Sequence, residues 1–547
     1  MKPGEVARWL GFAILAALVL AAWSNGLHGE FTYDDKVEVI GNRTIRVLDD
    51  WWAIASYNYA RPLLIATYAI NFHFSQLAPF TYHVVDVLLQ AMNAGLVMLL
   101  VYEGAALLGR RHGLRIGLVA AGIWALHPLQ TEAVSYVTGR SEQLCGTFFL
   151  LGLILWLRFL RDEEDRALWL GAHGAFIAAA LSKEVAAVLP VAMVLMEWLF
   201  VRKGRLRAVR WNRYTAFALM LLAAGVVRWR LSGSLLPREA DRTLAVQYWT
   251  QAEVIWRYIQ LWLVPYGQTV FHDYPETGAT LRSVAAGLGL VGVTGLAWRV
   301  RVRRPLVAFA WLWFLLLLLP SSAAPLKETM AEHRPYLALL GPAWLLGDWI
   351  ACRRRGLVMA AALWSVLGVL TWQRNTVWAE ESVLWEEAVT RSPESPEGWY
   401  GYGDALRFSD RWLDACQAYR TSVELEPSYL DAWNNLGLCN AELGRDKVAQ
   451  KAFKEALRRS PSSCRTHTNF GLLHIRRGRF EEGVTELKTA LTYCPTYCEA
   501  HYFLGSYYQE IGRNPTEAEM HFTIFEEVCP ENAQISEVRQ RLLDLTF

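Results

Sequence analysis

Two adjacent carboxylates, Asp34 and Asp35, end the stretch Phe31-Thr32-Tyr33-Asp34-Asp35, directly after the first long apolar run of the chain. That run, residues 9–27, is almost uncharged and matches the roughly 20 apolar residues that cross a bilayer. The two acids therefore emerge within about two helical turns of a membrane surface. A carboxylate placed there can take a proton from an attacking hydroxyl, although Asp is also common in solvated turns. Further ionisable residues gather where apolar runs end: His127 and Glu132, then Arg140-Ser141-Glu142, then Ser182-Lys183-Glu184, and finally Lys327 to Arg334. Charge at such positions is costly and marks function. Arg140, Lys183, Lys327 and Arg334 offer what a lipid-borne phosphate needs, Arg as a bidentate fork and Lys as a point charge. The plainer alternative is local ion pairing, Lys183 with Glu184 and Glu332 with Arg334, which contributes little at a surface.

The elements that must hold these residues divide the chain. At 547 residues it has room for more than one domain. Hydrophobic residues make up 53% and charged residues 19%, but the halves differ. Residues 1–375 form a series of apolar runs broken by short Arg-rich clusters, and residues 376–547 are polar and rich in Glu. This is an all-α pattern: a polytopic membrane domain followed by a soluble helical domain. The net charge of +2 gives no reason to expect nucleic acid. Residues 9–27 read as a retained signal-anchor, since no small-residue cleavage site follows.

A loop over 25–81 comes next, with an interfacial helix expected over 63–74. Spans follow at about 83–108, 115–137, 144–160, up to 181, 185–201 and 214–231, then 281–298, 305–320, 336–350 and 357–372. The piece 254–265 is short for a crossing and is expected to be re-entrant or interfacial. These assignments give about 11 crossings. Arg110, Arg111, Arg202, Lys203, Arg205 and the Arg353-Arg354-Arg355 block then lie on the cytoplasmic side. Asp34, Asp35 and the C-terminal domain share the opposite, extracytoplasmic side, a bacterial periplasm in preference to an ER lumen.

The polar half is periodic. Pro393, Pro427, Pro461 and Pro495 recur every 34 residues, and so do Trp399, Trp433, His467 and His501. Gly403, Gly437, Gly471 and Gly505 keep the same register. This is the period of tetratricopeptide repeats (TPRs), an α-solenoid of about four helical pairs. Its concave face would take an extended peptide or a partner helix, with Trp399 and Trp433 as candidate contacts; a helical spacer or an oligomer contact is the other use of such a fold. Six of the eight cysteines lie here. Cys416 and Cys439 can meet, six cysteines allow 15 pairings in all, and buried free thiols fit equally well. None has zinc-finger spacing.

Several motifs together resemble one family. Tyr33-Asp34-Asp35, Arg61-Pro62-Leu63, Tyr82-His83, and His127-Pro128 through Glu132 to Gly139-Arg140-Ser141-Glu142 are similar to the transmembrane and TPR-containing O-mannosyltransferases, which have the GT-C glycosyltransferase fold. Ser182-Lys183-Glu184, His272-Asp273-Tyr274 and Met330-Ala331-Glu332 with Arg334 resemble them too, in the same order. The chain departs at Asp86, where the family pattern has Asn, at His333 and Pro335 within the Ala-Glu-Arg stretch, and in its shorter repeat array.

The resemblance implies an inverting enzyme that moves a sugar, mannose in this family, from a polyprenyl- or dolichyl-phosphate carrier to a Ser or Thr hydroxyl of an acceptor protein. Asp34 or Asp35 would be the general base; Arg140, Lys183 and Arg334 would bind the donor phosphate; His127, Glu132, Glu184 and His83 would orient these groups or touch the sugar. Tyr33 and Arg61 join Trp399 and Trp433 as acceptor contacts. The partners are the lipid-linked donor, the acceptor protein and membrane lipid. No cofactor is required, and a divalent metal is compatible with the chemistry without being implied by it. A GT-C transferase acting on a glycan or lipid acceptor, and a non-catalytic membrane-anchored TPR scaffold, are the competing uses.

Overall fold

The computed structural model describes residues 3–233, 242–529 and 534–546, which form α-helices, short 3-10 and π turns, and loops. Two compact units result, Met1–Glu387 and Ala388–Phe547. The division lies beyond residue 375, where the composition changes. The reason is that Glu381 pairs with Lys36 and Trp385 packs against Tyr33, so the intervening segment is held by the first unit.

Among the described residues seven helices of the first unit are long and apolar enough to cross a membrane: Glu5–His28, Pro79–Leu107, Val137–Phe159, Glu184–Val201, Leu281–Val300, Pro305–Ala323 and Gly356–Trp378. The other four expected crossings hold the helices Gly113–Ala125, Arg166–Ala180, Thr215–Ser232 and Leu340–Ala351. The first and last of these, at 13 and 12 residues, rise only about 20 Å against a hydrocarbon core of about 30 Å. The piece over 254–265, expected to be a short re-entrant or interfacial helix, is the C-terminal part of a longer, 20-residue helix, Leu244–Leu263. Its polar residues, among them Gln247, Gln251 and Glu253, are buried inside the unit, which is why the apolar run looks short in sequence.

A second difference concerns the expected span over 115–137. Its helix stops at Ala125 and gives way to three short turns, Pro128–Gln130, Thr131–Ser135 and Val137–Gly139. Pro128 is the cause: it forces His127 into an extended conformation (φ −74°, ψ 133°). His127 and Glu132 therefore sit in broken backbone at a helix end, not within a crossing.

The second unit repeats one helical pair four times, from Pro396–Phe408 with Trp412–Leu425 to Cys498–Glu510 with Pro515–Val528, and ends in Ile535–Thr546. In three of the four pairs the glycine of the first helix lets an aromatic ring of the second come close, and in the third pair Gly471 sits against the Gly483 carbonyl and Leu487. A Cβ on Gly403, Gly437 or Gly505 would lie 2.6, 2.5 or 2.6 Å from Tyr419, Phe453 or Phe522. Three disulfides staple the array: Cys416–Cys439, Cys464–Cys494 and Cys498–Cys529. Cys145 and Cys352 are free.

Candidate active site

The loop after the first helix is a folded element with its own core. Phe31, Val39, Ile45, Ile54, Leu64 and Tyr68 pack against Tyr82, Val137 and Leu144, and the helix expected over 63–74 runs Pro62–Ser75. Within the loop Tyr33 adopts a left-handed backbone (φ 50°), which costs a non-glycine residue about 1–2 kcal/mol. It is held there by its N–H donating to Glu381 at 2.9 Å and its hydroxyl donating to Glu328 at 3.2 Å. This turn sends the two following acids in different directions.

Asp35 points inward and is fully buried. Its carboxylate accepts from the Thr138 hydroxyl (2.6 Å) and the backbone N–H groups of Thr138 (2.7 Å), Thr32 (3.2 Å) and Val137 (3.4 Å). Burial pushes its pKa up to about 7, and the Thr138 and Thr32 donors pull the other way. Asp34 stays exposed. The protein around it removes part of its water and raises its pKa, while the Tyr136 hydroxyl, Lys327 and Arg61 hold it down. Asp34 is the acid open to solvent, and Asp35 is the acid that fixes the loop.

Arg61 and Lys327 act on Asp34, and the other charged candidates are held in pairs of their own. Arg61 forms a two-pronged pair with Glu184, at 2.9 and 3.3 Å. Lys183 pairs with Glu142 at 2.8 Å and reaches the Ser141 hydroxyl at 3.5 Å. Arg334 donates to the carbonyls of Glu328 (2.9 Å) and Thr329 (3.2 Å), with the Glu328 carboxylate 4.0 Å away. Glu132 is buried and accepts from the backbone N–H of Glu332 (2.7 Å) and His333 (3.1 Å), and it contacts His333 Nδ1 at 2.5 Å. Glu332 in turn is held by His272, Gln268 and the Thr269 N–H, each at 2.8 Å. The resulting wall carries both signs of charge next to an exposed carboxylate, which suits an anionic leaving group and a neutral nucleophile.

Five expectations change. Arg140 is fully buried, and each of its guanidinium nitrogens is already used. Nε donates to Asp86 at 2.6 Å, one terminal nitrogen to Asn71 and Thr67, and the other to the Tyr82 carbonyl. Four of its five N–H donors are taken and the side chain is fully buried, away from any lipid phosphate, so it pins the folded loop to the Pro79–Leu107 helix. His83 is buried against the Gly29 carbonyl at 3.2 Å. His127 spends both ring nitrogens, accepting from Leu129 N–H at 3.2 Å and contacting the Trp262 carbonyl at 2.9 Å. Neither imidazole can reach a sugar. In the repeat unit Trp399 and Trp433 donate their indole N–H to the carbonyls of Pro393 (2.8 Å) and Pro427 (2.9 Å). They set the packing of one repeat on the previous turn and leave no polar handle for an acceptor.

Residues that sequence reasoning passed over include Thr138, Tyr136 and Gln268, which carry no motif of their own, while Glu328 and His333 stood within the Lys327 to Arg334 cluster without an assigned role. Among the described residues no group of three or more His, Cys, Asp or Glu side chains is arranged to hold a metal ion.

Residues 404–463 match the tetratricopeptide-repeat family. Along most of its length the chain is similar to two human proteins, protein O-mannosyl-transferase TMTC1 and protein O-mannosyl-transferase TMTC3. It is 22% identical to the first over 530 residues, with 80% of this chain and 57% of the relative covered. It is 21% identical to the second over 500 residues, with 80% and 54% covered. A shorter stretch of 156 residues is 32% identical to protein O-mannosyl-transferase tmtc2 of Xenopus laevis, covering 26% of this chain and 18% of the relative. The chain thus spans about half the length of the relatives it matches most broadly. Among solved structures, a thermophilic TPR protein of Thermus thermophilus aligns with 33% of this chain and 94% of its own, at 21% identity and a TM-score of 0.27.

Proposed function

From its homology to the TMTC protein O-mannosyl-transferases over 80% of the chain, we propose that this multi-pass membrane protein is a glycosyltransferase. It moves a sugar, mannose, from a polyprenyl- or dolichyl-phosphate carrier to Ser or Thr hydroxyls of an acceptor protein, on the extracytoplasmic side. The observation that carries the proposal is the divided acid pair: Asp35 locked in place by four donors, Asp34 exposed beside it and flanked by Lys327 and Arg61.

In the proposed step the Asp34 carboxylate accepts the hydroxyl proton as the acceptor oxygen attacks the anomeric carbon. The new glycosidic C–O bond forms on the face opposite the departing lipid phosphate, so the anomeric centre inverts. The bond from the anomeric carbon to the phosphate oxygen breaks, and the electron pair leaves with the phosphate. Lys183 and Arg334 stabilise that growing charge from positions fixed beforehand by Glu142 and by the Glu328 and Thr329 carbonyls. Arg140 supports the site from behind. Three disulfides in the repeat unit fit an oxidising compartment, and the repeats would present the acceptor. Transfer of mannose from polyprenyl-phosphate-mannose to an acceptor-protein mixture, read by intact mass with purified protein in nanodiscs, tests the proposal. No sugar gained on any protein, with the lipid donor unconsumed, contradicts it.

A further inference from the structure

A cavity of about 440 Å³ opens between the helices Leu244–Leu263 and Leu281–Val300, and the proposed transfer step makes no use of it. Glu253, Arg257 and Gln260 line it from the first helix, Arg282 from the second and Tyr274 from the segment between, with Trp256 as an apolar wall. Its parts are fixed. Glu253 is buried, and its carboxylate accepts from Arg282 Nε at 2.8 Å and from the hydroxyls of Tyr274 at 3.3 Å and Thr277 at 3.5 Å. The Trp256 indole N–H donates to the Ala286 carbonyl at 3.0 Å. Arg257 donates from one terminal nitrogen to the Gly267 carbonyl at 3.0 Å and forms no ion pair among the described residues. Two guanidinium groups thus face one carboxylate, an excess of one positive charge.

We infer that this cavity binds the phosphate of a membrane phospholipid with one net negative charge, whose acyl chains lie along the outside of the two helices. Arg282 is the second residue of a helix long and apolar enough to cross a membrane, the level at which an arginine meets headgroups. Most of that helix lies outside the protein core. Leu281, Leu288 and Val291 on it are exposed, and so are Leu263 and Val264 at the end of the other helix. A cationic cavity set in an apolar, lipid-facing surface suits an anionic head on a hydrocarbon tail. A phosphodiester supplies the single charge that balances the excess, and guanidinium groups match its oxygens. The cavity is at the same end of the membrane unit as the acid pair: the Thr329 hydroxyl donates to the Tyr274 carbonyl at 3.3 Å, and Glu328, the residue before it, holds Tyr33. It shares no lining residue with the wall around Asp34, so the lipid bound there is a second ligand, not the sugar donor.

The test titrates the full-length protein in detergent micelles with phosphatidylglycerol and counts bound lipid by native mass spectrometry. Phosphatidylcholine, polyprenyl-phosphate-mannose and inorganic phosphate are parallel arms. Wild type is expected to retain phosphatidylglycerol in preference to phosphatidylcholine. Arg257→Met should weaken that binding by roughly ten- to a hundred-fold, the weight of one hydrogen bond to a charged group. Arg257→Lys, which keeps the charge, should recover part of the loss. Glu253→Gln removes the opposing charge and keeps an acceptor for Arg282, so it should tighten binding several-fold, a gain that misfolding cannot produce. Equal binding of phosphatidylglycerol by wild type and Arg257→Met overturns the site, and so does a wild type without preference for it over phosphatidylcholine. Polyprenyl-phosphate-mannose binding that falls as far in Arg257→Met assigns the cavity to the donor and overturns its assignment to phospholipid. Inorganic phosphate that displaces phosphatidylglycerol at equal concentration shows that the tail adds nothing and overturns it as a lipid site.

Discussion

Asp35 accepts hydrogen bonds from both the hydroxyl and the backbone N–H of Thr138, at 2.6 and 2.7 Å, across more than a hundred residues of sequence. That clamp lets the next residue back in the chain, Asp34, stand exposed on a rigid backbone. Thr138→Val removes one donor and should destabilise the protein by about 1–3 kcal/mol, lowering the thermal midpoint in detergent. Asp35→Ala strands several buried N–H groups and should lower it further. Midpoints equal to wild type for both variants would remove the clamp.

The buried pair Arg140–Asp86 predicts a loss of stability in place of a specific loss of donor affinity. Arg140→Met alone leaves an uncompensated buried carboxylate, at a cost of about 3–5 kcal/mol. The double variant Arg140→Met with Asp86→Leu should recover much of it, since replacing both members of a buried pair is far milder. Folded Arg140→Met with a wild-type midpoint and no donor binding would restore the phosphate role that its sequence position first suggested.

A pH dependence follows from Asp34. Its pKa is raised, with burial as the largest cause, and only its ionised form can act as base. The rate should therefore rise with pH through a limb above the ordinary Asp value of about 3.9. Lys327 favours the ionised form, so Lys327→Met should move that limb to higher pH. A limb that stays in place or moves to lower pH would contradict the placement of Lys327 beside Asp34.

In the repeat unit, the disulfides close intervals of 23, 30 and 31 residues, each worth about 3 kcal/mol by loop closure. Peptide mapping without reductant should recover Cys416–Cys439, Cys464–Cys494 and Cys498–Cys529, and reductant should lower the unfolding temperature of the full chain. Six free thiols in protein secreted through an oxidising compartment would contradict the pairing.

The repeat architecture was legible because its causes are local and periodic. Gly403, Gly437 and Gly505 must be small where Tyr419, Phe453 and Phe522 approach, and that constraint recurs at a fixed interval. The acid pair was legible through its position after an apolar run. Which acid faces out was not, because the answer depends on Thr138 and on the left-handed Tyr33, and neither leaves a pattern in the chain. Arg140 misled for a related reason. A basic residue at a membrane boundary looks available, and its partners Asp86, Asn71 and the Tyr82 carbonyl come from elsewhere in the chain. His127 and His83 stood in the motifs, but main-chain groups take both ring nitrogens of His127, and His83 is buried against the Gly29 carbonyl. Glu132 was found by sequence, but its use became visible only with His333 beside it.

The most direct test of the whole account compares Asp34→Asn with wild type in mannose transfer from polyprenyl-phosphate-mannose to acceptor protein. The variants are first matched for thermal midpoint and for binding of the donor lipid. Asp34→Asn should keep both and lose about 10²–10⁴-fold in rate. Transfer at the wild-type rate by folded Asp34→Asn would contradict the assignment of Asp34 as the base.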